Sequence, residues 1–136
     1  MARRQVPLAP LVPPGPRQDG TARLRVAASG VTVPLEIAAS RRARTRGLLG
    51  RDSLEGALLL SPAAGVHTFG MRFPIDVAYL DGDFAVISLR TMRPGRLGLP
   101  RLRARTVLES AAGAMAGWGM RPGVRVEIVP QADSPA

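Results

Sequence analysis

The stretch Ile75-Asp76-Val77-Ala78-Tyr79-Leu80, then Asp81-Gly82-Asp83, then Phe84-Ala85-Val86-Ile87-Ser88-Leu89-Arg90-Thr91 decides how this chain is read. Two runs rich in β-branched, aliphatic and aromatic residues flank a short Asp/Gly turn, and that pattern predicts a β-hairpin. Working toward the N-terminus, Val66 to Phe69 and Ala57 to Leu60 read as further strands. Before them, Ser40 is a helix N-cap, with a short helix expected to about Leu49 and an end near Gly50. Arg41 and Arg42 fall in its first turn, where the helix dipole disfavours each cation by about 0.3–1 kcal/mol. Nearby acids such as Asp52 and Glu55, or a bound anion, are expected to offset this.

Further upstream, Leu24, Val26 and Ala28 alternate with their neighbours, and Val31 to Ile37 follows across Ser29-Gly30, a second hairpin. Pro34 cannot donate to a ladder, so its strand is expected at an edge or at a bulge. Toward the C-terminus, residues 92–104 read as a loop and Thr106 to Glu109 as a strand. Ala111 to Trp118 reads as a turn or short helix, and Val124 to Val129 as a last strand. Many short strands with few helical periods predict an α+β, mainly antiparallel domain: a curled sheet or open β-barrel with one or two short helices.

A chain of 136 residues with 46% apolar residues suits one domain, assigned to residues 21–130. Residues 1–20, broken by Pro7, Pro10, Pro13, Pro14 and Pro16, read as a disordered leader, and 131–136 as a matching tail. Aromatics make up only 4%, so aliphatic residues must fill the core, which suits layers of strands better than a wide ligand cavity. No cysteine is present, which excludes disulfides, thiolate catalysis and cysteine-ligated metal. No unbroken apolar stretch follows Arg3 and Arg4, so neither an export signal nor a membrane span is expected. The expectation is a soluble cytoplasmic protein without membrane contact and without a cofactor.

The net charge is +9 and every basic residue is Arg. With abundant Ala, Gly and Pro, this points to a coding bias. Yet residues 21–130 hold sixteen of the arginines against eight acids, so the excess sits on the folded part. Solvated arginines that keep a small protein soluble account for it. The alternative is a nucleic-acid or polyanion partner met by Arg41, Arg42, Arg93, Arg96, Arg101 and Arg103. Six arginines and no acid lie between Arg90 and Arg105, with no aromatic for base stacking. Met92, Leu97, Leu99 and Leu102 are expected to anchor that loop.

The most distinctive block is Val66-His67-Thr68-Phe69-Gly70-Met71-Arg72-Phe73-Pro74-Ile75-Asp76-Val77. Asp76 stands between Ile75 and Val77, and a carboxylate among aliphatic neighbours is costly unless it is paired or hydrogen-bonded. His67 and Arg72 are its nearest partners in sequence, with N–H groups of the Gly70 turn as a third source. Two readings fit: a polar tie that holds the 67–74 loop, or the lining of a ligand pocket. The candidate binding residues are His67, Thr68, Arg72, Asp76, Glu109, Arg46 and Arg51, with Arg46 and Arg51 available to pair with Asp76 or Glu109. No nucleophile or metal motif is present. An enzyme with His67 as general base, oriented by Asp76, is therefore the third reading, and no metal site is expected.

These segments resemble the domain of unknown function 192 family, also called uncharacterised protein family 0127. The matching pieces are Arg46-Gly47-Leu48-Leu49-Gly50-Arg51 with Leu54, the block from Val66 to Val77 running on to Leu80-Asp81, and Val107-Leu108-Glu109 with Ala112-Gly113. They span roughly residues 31–129, in the family's order. The resemblance implies a compact α+β domain built on a curled antiparallel sheet, and it implies no activity. Relatives with the His-Thr form often have Cys where this chain has Ala63, and many have Met at the position of Leu49.

Overall fold

Asp81 ends one strand of the central hairpin and organises its turn. Its carboxylate accepts hydrogen bonds from the N–H of Asp83 at 2.8 Å and of Ala85 at 3.0 Å, and Phe84 turns through the left-handed region at φ 59°. The structure is a computed structural model that describes residues 15–131. Eleven elements follow in chain order: β1 Gly20–Val26, β2 Thr32–Ala38, α1 Arg41–Arg46, β3 Ala57–Leu60, β4 Val66–His67, β5 Ile75–Leu80, β6 Val86–Met92, β7 Leu97–Gly98, β8 Thr106–Ala111, α2 Ala114–Gly117 and β9 Val126–Val129. The predicted leader and tail lie outside the described residues except for 15–20 and 131.

Seven strands form one sheet in the order β6-β5-β8-β3-β2-β1-β9, and β4 and β7 form a separate ribbon. Every neighbouring pair in the large sheet is antiparallel except β2 with β3, which run parallel because the α1 segment carries the chain across between them. The sheet is curled into a half-barrel of the α+β class. Its two edges meet through a bridge between Ala85 and Arg125, supported by Val126 N–H to the Phe84 carbonyl at 3.0 Å.

Two apolar clusters cover the two faces of this sheet. The interior cluster draws Leu24, Leu35, Leu59, Ala78, Leu80, Leu108 and Val126 from the inward positions of the strands, together with Met115 of α2. The outer cluster holds Leu58, Val77, Tyr79 and Val107, capped by Leu48, Leu54, Val66 and Met71 from the loops and the small ribbon. Strands buried on both faces read as continuous apolar runs rather than alternating ones. This is why β3 and β5 are buried at every position.

Three local expectations change. The helix ends at Arg46 rather than Leu49, because Gly47 leaves helical geometry at φ 46°, ψ −123° and its N–H closes on the Ala43 carbonyl. The acid at the helix start is Asp19, not Asp52 or Glu55. Its carboxylate accepts from the N–H groups of Ala39 at 2.6 Å and Ser40 at 2.7 Å, and from the Ser40 hydroxyl at 2.6 Å. Those three bonds hold the Asp19 carboxyl below its usual pKa. Pro34 lies in an internal strand, yet β3 pairs with β2 only from Leu35 onward, so the edge character its missing N–H requires is local.

Candidate functional site

Strand alternation sends Asp76 inward with Ala78 and Leu80, while Ile75, Val77 and Tyr79 face the outer cluster. Asp76 is 4% exposed and fully engaged. One carboxylate oxygen accepts from the Thr91 hydroxyl at 2.7 Å, and the other from the N–H of Gly113 at 2.9 Å and of Met115 at 3.2 Å. Gly113 is the N-cap of α2 and has no side chain to cap with, so Asp76 supplies that cap from a distant strand. The expected grouping of Asp76 with His67, Arg72 and the Gly70 turn is therefore corrected. Compensating donors do exist, but they come from residues 37 and 39 positions later. Nor does Asp76 orient His67 as a general base would need, since its acceptor oxygens are turned to α2 and Thr91.

The other sequence candidates separate in the same way. Thr68 is completely buried and acts as a staple. Its hydroxyl donates to the Arg93 carbonyl at 2.6 Å and accepts from the Arg96 N–H at 2.8 Å, which leaves nothing to offer a ligand. Arg72 is exposed and pairs with Asp52 at 3.2 Å. Arg51 makes a two-pronged bond to Glu36 at 2.6 and 3.0 Å, which raises the guanidinium pKa. Its expected pairing with Asp76 or Glu109 is thus replaced by a neighbour across the outer loop. Arg46 is exposed at the end of α1.

Glu109 stands alone. It lies opposite Val77 and Leu58 in the middle of the sheet, on the outer face, and is 3% exposed. Among the described residues it has neither a hydrogen-bond nor an ion-pair partner. Burial pushes its carboxyl up to about 7 from 4.5. The side chain lines a small cavity of about 100 Å³ together with Arg46, Leu48, Leu60, Val66 and His67. His67 is exposed, and its ring stacks on Phe69 at 5.2 Å between centroids. Of the seven candidates, only Arg46, His67 and Glu109 share one space. The described residues contain no cluster of three His, Asp or Glu placed to hold a metal ion.

A second, larger recess lies beyond the β4–β7 ribbon. It measures about 830 Å³ and is lined by Tyr79, Arg90, Arg93, Arg96, Leu97 and Arg101 among others, with no acid on its wall. The Arg101 guanidinium sits 5.5 Å above the Tyr79 ring, and its Nε is buried without a hydrogen-bond partner. Burial raises the Tyr79 pKa, opposed by the positive charge of Arg101 and Arg90. Of the four expected loop anchors only Met92 is buried. Leu97, Leu99 and Leu102 are 63%, 72% and 96% exposed, which corrects that expectation: Thr68, not the leucines, ties the loop down. Sequence reasoning missed Tyr79 as a wall of this recess. Its position beside the arginine loop follows only from the β4–β7 pairing.

A curled half-barrel with covered faces and a lone buried carboxyl on its outer side defines the class of domain. The chain belongs to the DUF192 family, described as "Uncharacterized ACR, COG1430", whose model matches residues 23–128. It is 40% identical over 50 residues to a UPF0127 protein of Pyrococcus horikoshii, a match covering 37% of this chain and 44% of that protein. It is 33% identical over 66 residues to a UPF0127 protein of Pyrococcus abyssi, covering 48% of this chain and 56% of the relative. The chain thus spans about half the length of the curated relatives it matches. A crystal structure of a protein of unknown function from Novosphingobium aromaticivorans is similar at a TM-score of 0.68 and 23% identity, covering 93% of this chain and 99% of that one. Another, from Sinorhizobium meliloti 1021 and described as a candidate transcription regulator, has a TM-score of 0.63 at 23% identity, covering 84% and 98%. At these identities the likeness is one of fold.

Proposed function

We propose that this protein is a small ligand-binding module whose recognition group is Glu109, with His67 and Arg46 at the mouth of its pocket. The observation that carries the reading is a carboxyl 3% exposed with no partner among the described residues. An unpaired buried acid is costly, and proteins keep such groups chiefly where a bound species completes them. The pocket of about 100 Å³ holds on the order of three waters' volume, so the part of the ligand that enters is only a few atoms. Glu109 calls for a hydrogen-bond donor or a cationic group, and Arg46 at the rim calls for an anionic or carbonyl oxygen. Small amino acids and amides carry both.

The reading is tested by calorimetric titration of the full chain against a panel of amino acids, small amines and amides. A cationic ligand should bind more tightly as pH climbs through about 7, because only the ionised carboxylate attracts it. Glu109→Leu should abolish that binding, and Arg72→Ala, altering an exposed pair that does not line the pocket, should not. A panel without binders, or binding that survives Glu109→Leu, overturns the assignment.

A further inference from the structure

The recess beyond the β4–β7 ribbon joins two features that seldom coexist on a soluble surface. Arg90, Arg93, Arg96 and Arg101 line it, none of them in an ion pair among the described residues, and no acid lines it with them. Beside them, Leu97 and Leu99 stand 63% and 72% exposed. Arginines without counter-charges seek phosphate or carboxylate, whereas exposed leucines seek an apolar phase. One partner supplies both, with the anions held in a plane directly above hydrocarbon.

From this we infer that the face built by Arg93, Arg96, Leu97, Leu99 and Arg101 docks peripherally on a bilayer surface containing anionic phospholipid. The leucines enter the headgroup–acyl boundary, and the arginines take the lipid phosphates, one of which the recess of about 830 Å³ has room to admit. The contact is superficial, since no helix among the described residues is long and apolar enough to cross a membrane. It also departs from the absence of membrane contact expected from the sequence, where these leucines are read as anchors that pin the loop down.

Three observations favour a lipid surface over other polyanions. A soluble phosphate compound would engage the arginines and leave both leucines in water. A nucleic acid would gain from stacking, yet Leu97 and Leu99 are aliphatic, the Tyr79 ring is 1% exposed beneath Arg101, and the exposed Phe69 ring just past β4 is already stacked on His67. A protein partner draws its anchoring energy mainly from aromatic and arginine side chains seated in fitted pockets, whereas these leucines project from the β4–β7 ribbon and the segment after it. The face is centred on Leu97 and Leu99 rather than on the still more exposed Leu102, because Leu102 and Arg103 adjoin Asp81 and Asp83, which an anionic surface repels.

The experiment is flotation of the full chain with phosphatidylcholine vesicles, with and without phosphatidylglycerol. The protein should float only with the anionic vesicles, and less as salt rises. The double variant Leu97→Ser/Leu99→Ser should lower the partition constant about tenfold or more at unchanged net charge. Arg93→Gln/Arg96→Gln should lower it by a similar factor, about tenfold or more, while Leu102→Ser should change it little. Unchanged melting temperatures for these exposed substitutions keep the comparison valid. Failure to float at low salt overturns the inference. So does a leucine double variant that floats like the parent, which reduces the effect to charge attraction alone. A single-stranded oligonucleotide or glycerol 3-phosphate that occupies the face equally well in parent and leucine variant would assign the arginines to a soluble anion instead. None of these outcomes depends on Glu109.

Discussion

Replacing Glu109 by glutamine converts the lone buried carboxyl into a neutral group of nearly the same size, and the consequence can be worked through with its sign. In the folded chain the Glu109 carboxyl titrates at about 7, against 4.5 when it is free. Between those values the folded state holds a proton that the unfolded state has released, so stability falls as pH rises. The interval of about 2.5 pH units corresponds, at about 1.36 kcal/mol per unit, to roughly 3 kcal/mol. That increment is fully present below pH 4.5 and is lost by the time pH has passed about 7. The amide of the Glu109→Gln variant has no such proton to lose. Urea unfolding followed through Trp118, the single tryptophan, which packs against the interior cluster, measures both proteins across this range. Near pH 4.5 parent and variant should be of similar stability. Above about pH 7 the variant should lead by about 3 kcal/mol. Parallel profiles at all pH values would mean that Glu109 is solvated or partnered, and the reasoning about its pocket would fail with them.

Asp76→Ala should destabilise the fold by about 3 kcal/mol or more, because it strips an acceptor from the Thr91 hydroxyl and from two N–H groups at the start of α2. Thermal unfolding measures this, and a loss under about 1 kcal/mol would mean that water replaces the carboxylate without difficulty. Gly56→Ala should be among the most damaging single substitutions. Gly56 sits at φ +71°, and a methyl there overlaps the Pro34 carbonyl oxygen, which is backbone and cannot turn aside. Soluble yield and melting temperature report it, and a variant as stable as the parent refutes the close approach. Asp19→Ala should speed amide hydrogen exchange at Ala39 and Ser40 and leave the hairpin at Asp81 unchanged. Equal exchange in both proteins would show that Asp19 does not hold the approach to the helix.

The Asp81 turn, the β1–β2 hairpin and the Ser40 cap are local devices, each decided by residues within a few positions of one another, and each was legible. Asp76 was legible only in part. That it must find donors followed from its aliphatic neighbours, whereas the identity of those donors did not, because α2 reaches it from 37 residues away. Asp19 was hidden for a related reason: its partners, Ala39 and Ser40, lie across the first hairpin, and a proline-rich approach masked the last residues before it.

Local chemistry thus determined what kinds of element this chain makes, that they belong to a curled, strand-rich domain, and that Asp76 among its aliphatic neighbours must find donors. Only the tertiary structure decided which acid is satisfied. Side chains alternate across a strand, so Asp76 turns inward to donors already waiting there, while Glu109 on the neighbouring strand turns outward into a pocket where no donor among the described residues comes within hydrogen-bond distance. A sheet with both faces covered hides this distinction from the sequence, since positions on either face of its central strands are buried alike.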